Sequence, residues 1–365
     1  MATLLLQDNT LIKGESFGFK GDRIGEIVFN TSMTGYQEVI SDPSYANQIV
    51  VMTYPEIGNY GLNEDDFEAF CPYLAGLIVK NCSKKESHYK AKTTLSEYLI
   101  DNKIPALQGI DTRSLVKKIR QTGAMAAFIT NRDLEEDEIQ QKLQELKNYR
   151  IEDNIIEKTS TKEKYIYNDS GSIDLGFIDY GTKRGILDSL AKRGAKITVY
   201  PCTTSAEEIL ENNHSALFLS NGPGDPSNYT YQVEQLKKML GKLPIFGICL
   251  GYQLLALSSD AKTFKLKYGH RGGNHPVINL ENNKVIITSQ NHGYAVDIET
   301  LPKLIRPTYK NLNDNTLEGF EISSLSVYAV QFHPEANPGP NDARIIFDEW
   351  FNILKGKINE VANER

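Results

Sequence analysis

Gly247-Ile248-Cys249-Leu250-Gly251-Tyr252-Gln253 begins at the end of the apolar segment Pro244 to Ile248 and leads into the apolar stretch Leu254 to Leu257. This order predicts a buried strand that turns sharply into a helix. Glycines on both sides of Cys249 relieve the crowding of such a turn, and the helix N-terminus favours thiolate over thiol. Cys249 is therefore a candidate nucleophile. The alternative is a buried structural cysteine, the commonest fate of a lone cysteine.

The strand before Cys249 closes an alternating series of strands and helices in the second half of the chain. Strands followed by helices at this spacing predict an α/β domain with a mainly parallel central sheet and helices on both faces. In such sheets the chemistry lies at the carboxyl ends of the strands. The predicted elements before it are strands Ile173 to Asp179, Lys196 to Tyr200 and Ala216 to Ser220, a helix from Lys183 to Arg193, and one through Val233 to Met239.

The first half has a different rhythm, with strands first and helices later, which predicts an α+β domain. Between the halves, Ile151 to Ser172 is polar and weakly patterned, and is the best linker candidate. The expected domains are therefore residues 1–170 and 171–365. The predicted elements of the first half are strands Thr3 to Leu6, Ile24 to Asn30 and Gln48 to Tyr54, a helix opened by Asp111 that stops before Gly123, and a helix within Asp133 to Asn148.

Composition excludes several classes of protein. The chain has 365 residues with a formal net charge of −7, which argues against a general binder of nucleic acid, because such proteins need a basic surface. No apolar run reaches the roughly 18 residues that span a membrane, and the N-terminus lacks the features of a signal peptide, so we expect a cytoplasmic protein. The four cysteines show no CxxC spacing, so neither a metal site nor a disulfide framework is indicated; they are Cys71, Cys82, Cys202 and Cys249.

A candidate base and its orienting group follow the segment Tyr328 to Phe332, which predicts a strand ending in His333-Pro334-Glu335. A thiol nucleophile needs a base to move its proton, and the base needs a third group to fix its tautomer. His333 and Glu335 have this chemistry. On its own, the tripeptide is equally compatible with a turn that carries a solvated histidine and glutamate.

Three further segments lie near these candidates in the sequence. The turn Ser220 to Pro226, with two glycines and two prolines, is suited to present N–H groups to an oxyanion, although an ordinary tight loop is the simpler interpretation. Tyr268 to Val277 is predicted to be a glycine-rich polar loop that binds a ligand or partner. Thr288 to Val296 is predicted to end a strand in polar and aromatic groups.

Together, these motifs resemble the triad glutamine amidotransferases of class I. GICLGYQ, SNGPGDP and the His-Pro-Glu ending occur in that family's order, with Cys249 84 residues before His333. The first half resembles the N-terminal domain of the small subunits of carbamoyl phosphate synthetases. That resemblance rests on FNTSMTGYQE from Phe29, DPSY from Asp42, and GIDTR from Gly109, and it is joined in the second half by GHRGGNHPV and TSQNHGYAVD. It covers essentially the whole chain.

The resemblance implies a site and a reaction. Cys249 would attack the side-chain amide of glutamine, His333 would act as base and Glu335 would orient it. Backbone N–H groups near Gly222 and Leu250 would form the oxyanion hole. Because Ser44 is among the implied glutamine-binding residues, the pocket is expected near the domain boundary. Those residues are Ser44, Gly222, Gly224, Leu250, Gln253, Asn291, Gly293 and Tyr294.

The resemblance also implies a heterodimer with a large synthetase subunit, in arginine and pyrimidine biosynthesis. The sequence contains no Gly-x-x-x-x-Gly-Lys-Ser/Thr loop and leaves no room for an ATP-grasp domain. ATP, divalent metal and bicarbonate are therefore expected on the partner, with no cofactor in this chain. We expect no nucleic-acid or membrane partner.

Two other functions stay open at this point. An amidotransferase of guanine-nucleotide or anthranilate synthesis would share the second domain, but the motifs of the first domain argue against it. A non-catalytic assembly protein would keep the fold without the activity, and the intact Cys249, His333 and Glu335 argue against that. A glutaminase assay on the chain, alone and with its partner, discriminates between them.

Overall fold

The computed structural model describes the backbone of residues 1–363 and the side chains of residues 1–357. The chain divides into two compact units. The first comprises Met1–Glu152 with Lys267–Gly272, and the second comprises Asp153–Leu266 and the chain from Gly273 onward. Among the described helices, none is both long and apolar enough to cross a membrane.

The first unit is built on a closed barrel of seven strands, in the order β1-β2-β8-β6-β4-β3-β9. Strand β1 closes the barrel by pairing antiparallel with both β2 and β9, while β3, β4, β6 and β8 run parallel. The elements are β1 Ala2–Leu6, β2 Leu11–Ser16, β3 Arg23–Asn30, α1 Tyr36–Ser41, β4 Gln48–Met52, β5 Glu56–Ile57, β6 Gly76–Ile78, β7 Asn81–Cys82, α2 Leu95–Asp101, β8 Ala106–Gln108, α3 Thr112–Thr122, β9 Met125–Thr130 and α4 Glu136–Asn148.

Both faces of the barrel wall are apolar, so successive residues of one strand, whose side chains point to opposite faces, belong to different buried clusters. Ile27 and Ile49 belong to one buried cluster, whereas Val28 and Val50 belong to another on the opposite face. Helix α3 covers part of the barrel. It begins where the Asp111 carboxylate accepts the N–H of Ser114 and ends at a glycine with φ 99°, as its capping residues predict.

The second unit contains a ten-stranded sheet in the order β10-β12-β11-β13-β14-β19-β18-β17-β15-β16. The run from β12 to β19 is parallel, and β10, β18, β17 and β15 are added antiparallel. The elements are α5 Ile155–Thr159, β10 Tyr165–Asn168, β11 Ile173–Asp179, α6 Arg184–Ala191, β12 Ala195–Pro201, α7 Ala206–Glu211, β13 Ala216–Leu219, α8 Thr230–Met239, β14 Ile245–Ile248, α9 Leu250–Ser258, β15 Thr263–Asn279, β16 Val285–Val296, β17 Arg306–Asn311, β18 Leu317–Ile322, β19 Val327–Val330 and α10 Ile345–Asn363.

The core of the second unit joins the parallel strands to α10. Phe218 of β13 stacks on Phe246 of β14 at a ring separation of 4.8 Å, and Trp350 of α10 lies 5.1 Å from Phe246. The buried residues of α10 include Phe347 and Leu354, at the spacing that places them on one face of the helix. This packing holds the carboxyl ends of β13 and β14 in fixed positions.

The predicted fold class is confirmed, with strands and helices close to their expected bounds. Two segments differ from expectation. The expected linker at 151–172 contains α5, whose Ile155 and Ile156 are buried, and β10, which pairs with β12. The sequence does not predict β10, because an edge strand with exposed side chains lacks a clear pattern. The compact units divide after Glu152. A unit defined by contacts is not the same as a sequence domain, so the domain boundary between 170 and 171 stays a prediction.

The expected loop from Tyr268 to Val277 is part of the long strand β15, and Thr288 to Val296 lies within β16. The glycines of the first segment suggested a turn. Glycine in a strand often marks an irregular position, and Gly269 and Gly272 have positive φ values of 73° and 148°.

We predict that Phe246→Ala lowers the free energy of unfolding of the second unit by about 3–5 kcal/mol, because it leaves a cavity beside three aromatic rings. Chemical denaturation of the full chain measures this. Phe264→Ala is the control, because that ring is 43% exposed and should change the value little. Equal losses for both variants would contradict the packing described here.

Candidate active site

The candidate nucleophile lies at the turn between β14 and α9. Cys249 directly precedes α9, with backbone angles of φ 54° and ψ −102°. Residues with side chains rarely adopt such angles, and holding one there costs on the order of 1–3 kcal/mol. The N–H of Cys249 donates to the carbonyl of Val330, at the end of β19, over 2.9 Å. The sharp strand-to-helix turn predicted at Cys249 is therefore confirmed.

Close packing requires the two glycines that flank this turn. A Cβ atom at Gly251 would lie 2.6 Å from the carbonyl oxygen of Leu219 in β13. A Cβ atom at Gly247 would lie 2.8 Å from the carbonyl carbon of Gly251. Because contacts this short do not occur, a larger residue at either position would push α9 away from the sheet.

The start of α9 and the turn after β13 lie against each other next to Cys249. Leu250 is the first residue of α9, so its N–H has no acceptor within the helix. Its side chain approaches Gly222, where a Cβ atom would lie 2.7 Å from the Leu250 Cδ2 atom. The N–H of Gly251 donates to the Ser220 carbonyl over 3.0 Å and joins the two segments. This arrangement suits the stabilisation of an oxyanion.

The candidate base lies just after β19. Nδ1 of His333 is 2.7 Å from Oε1 of Glu335, and both side chains are almost fully buried. The N–H of His333 donates to the carbonyl of Ser289 in β16 over 2.9 Å, which fixes the backbone. Their burial excludes the alternative of a solvated His-Pro-Glu turn. A carboxylate on Nδ1 leaves Nε2 as the ring nitrogen for proton transfer.

A buried lysine that sequence reasoning missed completes this arrangement. Nζ of Lys183 lies 2.9 Å from Oε1 of Glu335 and donates to the carbonyl of Ala336 over 2.6 Å. Lys183 is the N-cap residue of α6, and its own N–H donates to the Asn221 side chain over 3.0 Å. No local pattern marks it, because its carboxylate partner lies 152 residues away.

The three charged groups shift one another's pKa. Burial raises the pKa of Glu335. The Lys183 ammonium and then His333 lower it by more than burial raises it, so the net pKa is about 2. Burial lowers the pKa of His333, but the Glu335 carboxylate outweighs this effect. Lys183 opposes the rise and the nearby Cys249 thiol adds to it, and the net pKa is raised. The His333 ring therefore carries the positive charge that a thiolate nucleophile needs nearby.

Nε2 of His333 makes no hydrogen bond to a protein atom among the described residues, although the Cys249 thiol lies close enough to affect the ring. Such contacts are commonly long before substrate binds. The nitrogen is thus the one position on the ring that is not committed to the protein.

Gln253, in the first turns of α9, can offer only its carbonyl oxygen to a ligand. Its Nε2 atom donates to the carbonyl of Tyr294 over 2.8 Å and to Oε1 of Gln331 over 2.9 Å. Both amide hydrogens are therefore used within the protein. The remaining oxygen is an acceptor, which suits an ammonium group.

The other residues predicted to bind glutamine lie on different elements of the fold. The carbonyl of Asn291 accepts a hydrogen bond from Sγ of Cys249 over 3.7 Å, and Gly293 follows in the same strand. Gly224 lies in the turn after β13, where its φ of 92° favours glycine. Ser44 belongs to the first unit. The role of each in binding stays a prediction.

We predict that Lys183→Met raises the pKa of His333. The lysine charge disfavours the imidazolium, so its removal lets the ring hold its proton to higher pH. Titration of His333 followed by NMR of the ¹⁵N-histidine-labelled chain measures this.

Lys237→Met is the control for that experiment, because Lys237 pairs with Asp260 at the surface. An exposed pair is strongly screened, so the pKa of His333 should not change. A fall in the pKa of His333 in Lys183→Met would contradict the electrostatics described here.

Comparison with known proteins identifies the family. Residues 4–129 match carbamoyl-phosphate synthase small chain, CPSase domain, and residues 177–353 match glutamine amidotransferase class-I. A carbamoyl phosphate synthase small chain of Staphylococcus haemolyticus is 47% identical over 354 residues, 96% of this chain and 95% of that protein. One of Syntrophotalea carbinolica is 44% identical over 369 residues, 97% of this chain and 98% of that protein.

Among solved structures, a glutamine amidotransferase of Thermotoga maritima has 21% identity and a TM-score of 0.37, covering 51% of this chain and 85% of that chain. This likeness adds nothing to the assignment. The assignment rests on the two family matches and the nearly full-length relatives. They show that the chain belongs to the carbamoyl phosphate synthase small chain family.

Proposed function

We propose that this chain is the glutamine-hydrolysing subunit of a carbamoyl phosphate synthetase and supplies ammonia to a separate synthetase subunit. The observation that carries the proposal is the buried His333–Glu335–Lys183 cluster beside Cys249, a nucleophile on a strained turn. Family membership supplies the reaction in which such a cluster is used.

The first half of the reaction forms an acyl-enzyme. With Cys249 as the thiolate and His333 protonated, Sγ attacks the side-chain amide carbon of glutamine, and the carbonyl oxygen becomes an oxyanion. The N–H groups of Gly222 and Leu250 stabilise this charge. His333 then gives its Nε2 proton to the departing nitrogen, which leaves as ammonia when the carbon–nitrogen bond breaks. A thioester between Cys249 and the glutamyl group remains.

The second half regenerates the enzyme. His333, now neutral, takes a proton from a water molecule that attacks the thioester carbon. The carbon–sulfur bond breaks, glutamate leaves and the thiolate re-forms. Glu335 stays ionised throughout, since its bond to Nδ1 of His333 and its pair with Lys183 both favour the carboxylate. Its role is to orient the ring and stabilise the imidazolium.

The remaining polar groups of the site recognise the glutamine backbone. The free oxygen of Gln253 accepts from the substrate's ammonium, and groups at Asn291, Gly293 and Tyr294 complete the contacts. Such groups are uncharged, which suits a zwitterion better than a lone charged residue would. Gly224 and Ser44 join this set as predictions of the resemblance.

The proposal includes a partner. ATP, divalent metal and bicarbonate bind the large synthetase subunit, whereas this chain contributes ammonia only, without a cofactor of its own. The heterodimer works in the cytoplasm, for arginine and pyrimidine synthesis. An amidotransferase of guanine-nucleotide or anthranilate synthesis is disfavoured, because residues 4–129 match the small-chain domain.

We predict that, in the complex with the large subunit, Cys249→Ser abolishes glutamine-dependent synthesis and leaves synthesis from added ammonia unchanged. The thiolate serves only the amide cleavage. Carbamoyl phosphate formation from each nitrogen source measures this.

The matched control for this variant is Cys202→Ser. Cys202 is also buried in the second unit, and burial raises the pKa of its thiol to about 11, so it is a poor nucleophile. Normal glutamine-dependent turnover in Cys249→Ser would overturn the proposed function. The assembly-protein alternative requires the unaltered chain to lack glutaminase activity both alone and with its partner.

We predict that Ser44→Ala raises the KM for glutamine between a few-fold and about a hundredfold, the range expected for one lost hydrogen bond. kcat should change less, because the contact is made in ground and transition states alike. Steady-state kinetics with a melting curve measures both.

The turn at Ser44 gives this test a clear readout. The bond that caps it runs from the Ser44 main-chain N–H to the Asp42 carboxylate over 2.8 Å, and alanine keeps that N–H. A lowered melting temperature with an unchanged KM would therefore refute a substrate contact and assign the hydroxyl to structure.

A further inference from the structure

A chain of buried polar side chains runs from β16, the strand that carries Asn291, to β18. Gln290 and His292 are on β16 and Glu318 is on β18, with exposures of 1%, 5% and 0%. None of the three is assigned a role above. Because buried polar atoms must be hydrogen-bonded, their partners reveal where the protons are.

Glu318 accepts hydrogen bonds at both carboxylate oxygens. Oε1 accepts from the side-chain amide of Asn311 over 2.9 Å, and Oε2 accepts from the amide of Gln290 over 2.9 Å. The orientation of Asn311 is fixed, because its own oxygen accepts the N–H of Asn313. Both oxygens of Glu318 therefore face N–H donors.

The orientation of Gln290 is fixed by two neighbours. Its Nε2 atom faces Oε2 of Glu318 and Oγ1 of Thr288, 3.2 Å away. The Thr288 hydroxyl donates its own hydrogen to the carbonyl of His275, so at Gln290 it must accept. A flipped amide would place the oxygen of Gln290 against two acceptors. Its oxygen therefore points the other way, toward His292.

Both ring nitrogens of His292 consequently face acceptors. Nε2 is 2.8 Å from Oε1 of Gln290, and Nδ1 is 2.7 Å from the main-chain carbonyl of Tyr294. Each nitrogen must carry a hydrogen to make these bonds, which only the imidazolium can do. We propose that Glu318, acting through Gln290, is a positioning residue that holds His292 doubly protonated and thereby fixes the Tyr294 carbonyl.

That carbonyl connects the chain to the site. It accepts both from Nδ1 of His292 and from Nε2 of Gln253, whose oxygen we assign to the substrate ammonium. A charge-assisted bond is about twice as strong as a neutral one. The imidazolium thus anchors the segment 291–294, whose first carbonyl accepts from Cys249. The kinetic part of this inference rests on the proposed function, whereas the protonation state does not.

The protonation state of His292 is measured directly. In the ¹⁵N-histidine-labelled full chain at about pH 8, an ordinary histidine is neutral and has one protonated and one unprotonated ring nitrogen. We expect both nitrogens of His292 to give signals typical of protonated nitrogen, with assignment from their loss in His292→Asn. A neutral His292 in the unaltered chain would overturn the proposal.

Glu318→Gln tests the role of the carboxylate with little change of shape. The single oxygen of the new amide is taken by Asn311, so its NH₂ group faces Gln290. Gln290 then flips, the Thr288 hydroxyl turns from the His275 carbonyl to donate to the Gln290 oxygen, and the Gln290 NH₂ group faces His292, whose Nε2 has to lose its proton. We expect a neutral ring protonated at Nδ1. An imidazolium that persists in this variant would overturn the role of Glu318.

Kinetics complete the test. The bond from His292 to the Tyr294 carbonyl becomes a neutral one, so KM for glutamine should rise about three- to tenfold with kcat nearly unchanged. The control is Glu321→Gln on the same strand, which removes a carboxylate that pairs with Arg306 and should alter neither signal nor KM. An unchanged KM in Glu318→Gln would overturn the positioning role. If the unaltered chain shows no glutaminase activity either alone or with its partner but has an imidazolium at His292, the proposed function fails and the protonation state stands.

Discussion

The candidate active site depends on one carboxylate oxygen. Oε1 of Glu335 accepts from Nδ1 of His333 and pairs with Nζ of Lys183, and all three side chains are buried. Without that oxygen, the protein would have to bury two neighbouring cations, and removing charges from water costs several kcal/mol per ion. Lys183 follows β11, while the other two follow β19. The carboxylate therefore ties together two strand ends that are separated in the sheet by β13 and β14.

The strained turn at Cys249 persists because the strands on either side hold it. The N–H of Cys249 is bound by Val330 of β19, and the N–H of Gly251 is bound by Ser220, just after β13. Glycines allow α9 to approach the sheet closely enough for these bonds to form. A turn fixed on both sides can keep an unfavourable conformation that a free loop would relax. The sheet thus supplies the strain as well as the positions of the reacting groups.

Motifs in the sequence predicted the elements of the parallel sheet, the turn at Cys249 and the pairing of His333 with Glu335. Local patterns sufficed because a buried strand, a sharp turn and a helix each leave a mark within a few residues. Lys183 could not be found in this way, since its carboxylate partner is 152 residues distant and its own surroundings resemble any helix start. Closure of the barrel by β1 and β9 is another long-range pairing that no local pattern reveals.

The two buried histidines of the second unit show how hydrogen bonding separates a reactive ring from a structural one. Each lies near a carboxylate, His333 directly and His292 through Gln290. His292 has acceptors at both nitrogens, so loss of either proton would leave two acceptors facing each other. His333 has an acceptor at Nδ1 only, and its Nε2 is not bound to the protein within the described residues. A proton at that nitrogen can leave and return without breaking the bond to Glu335. A buried imidazolium can therefore act as an acid and base when one ring nitrogen is available to the substrate. When both ring nitrogens are bound by the protein, it can only hold its neighbours in place.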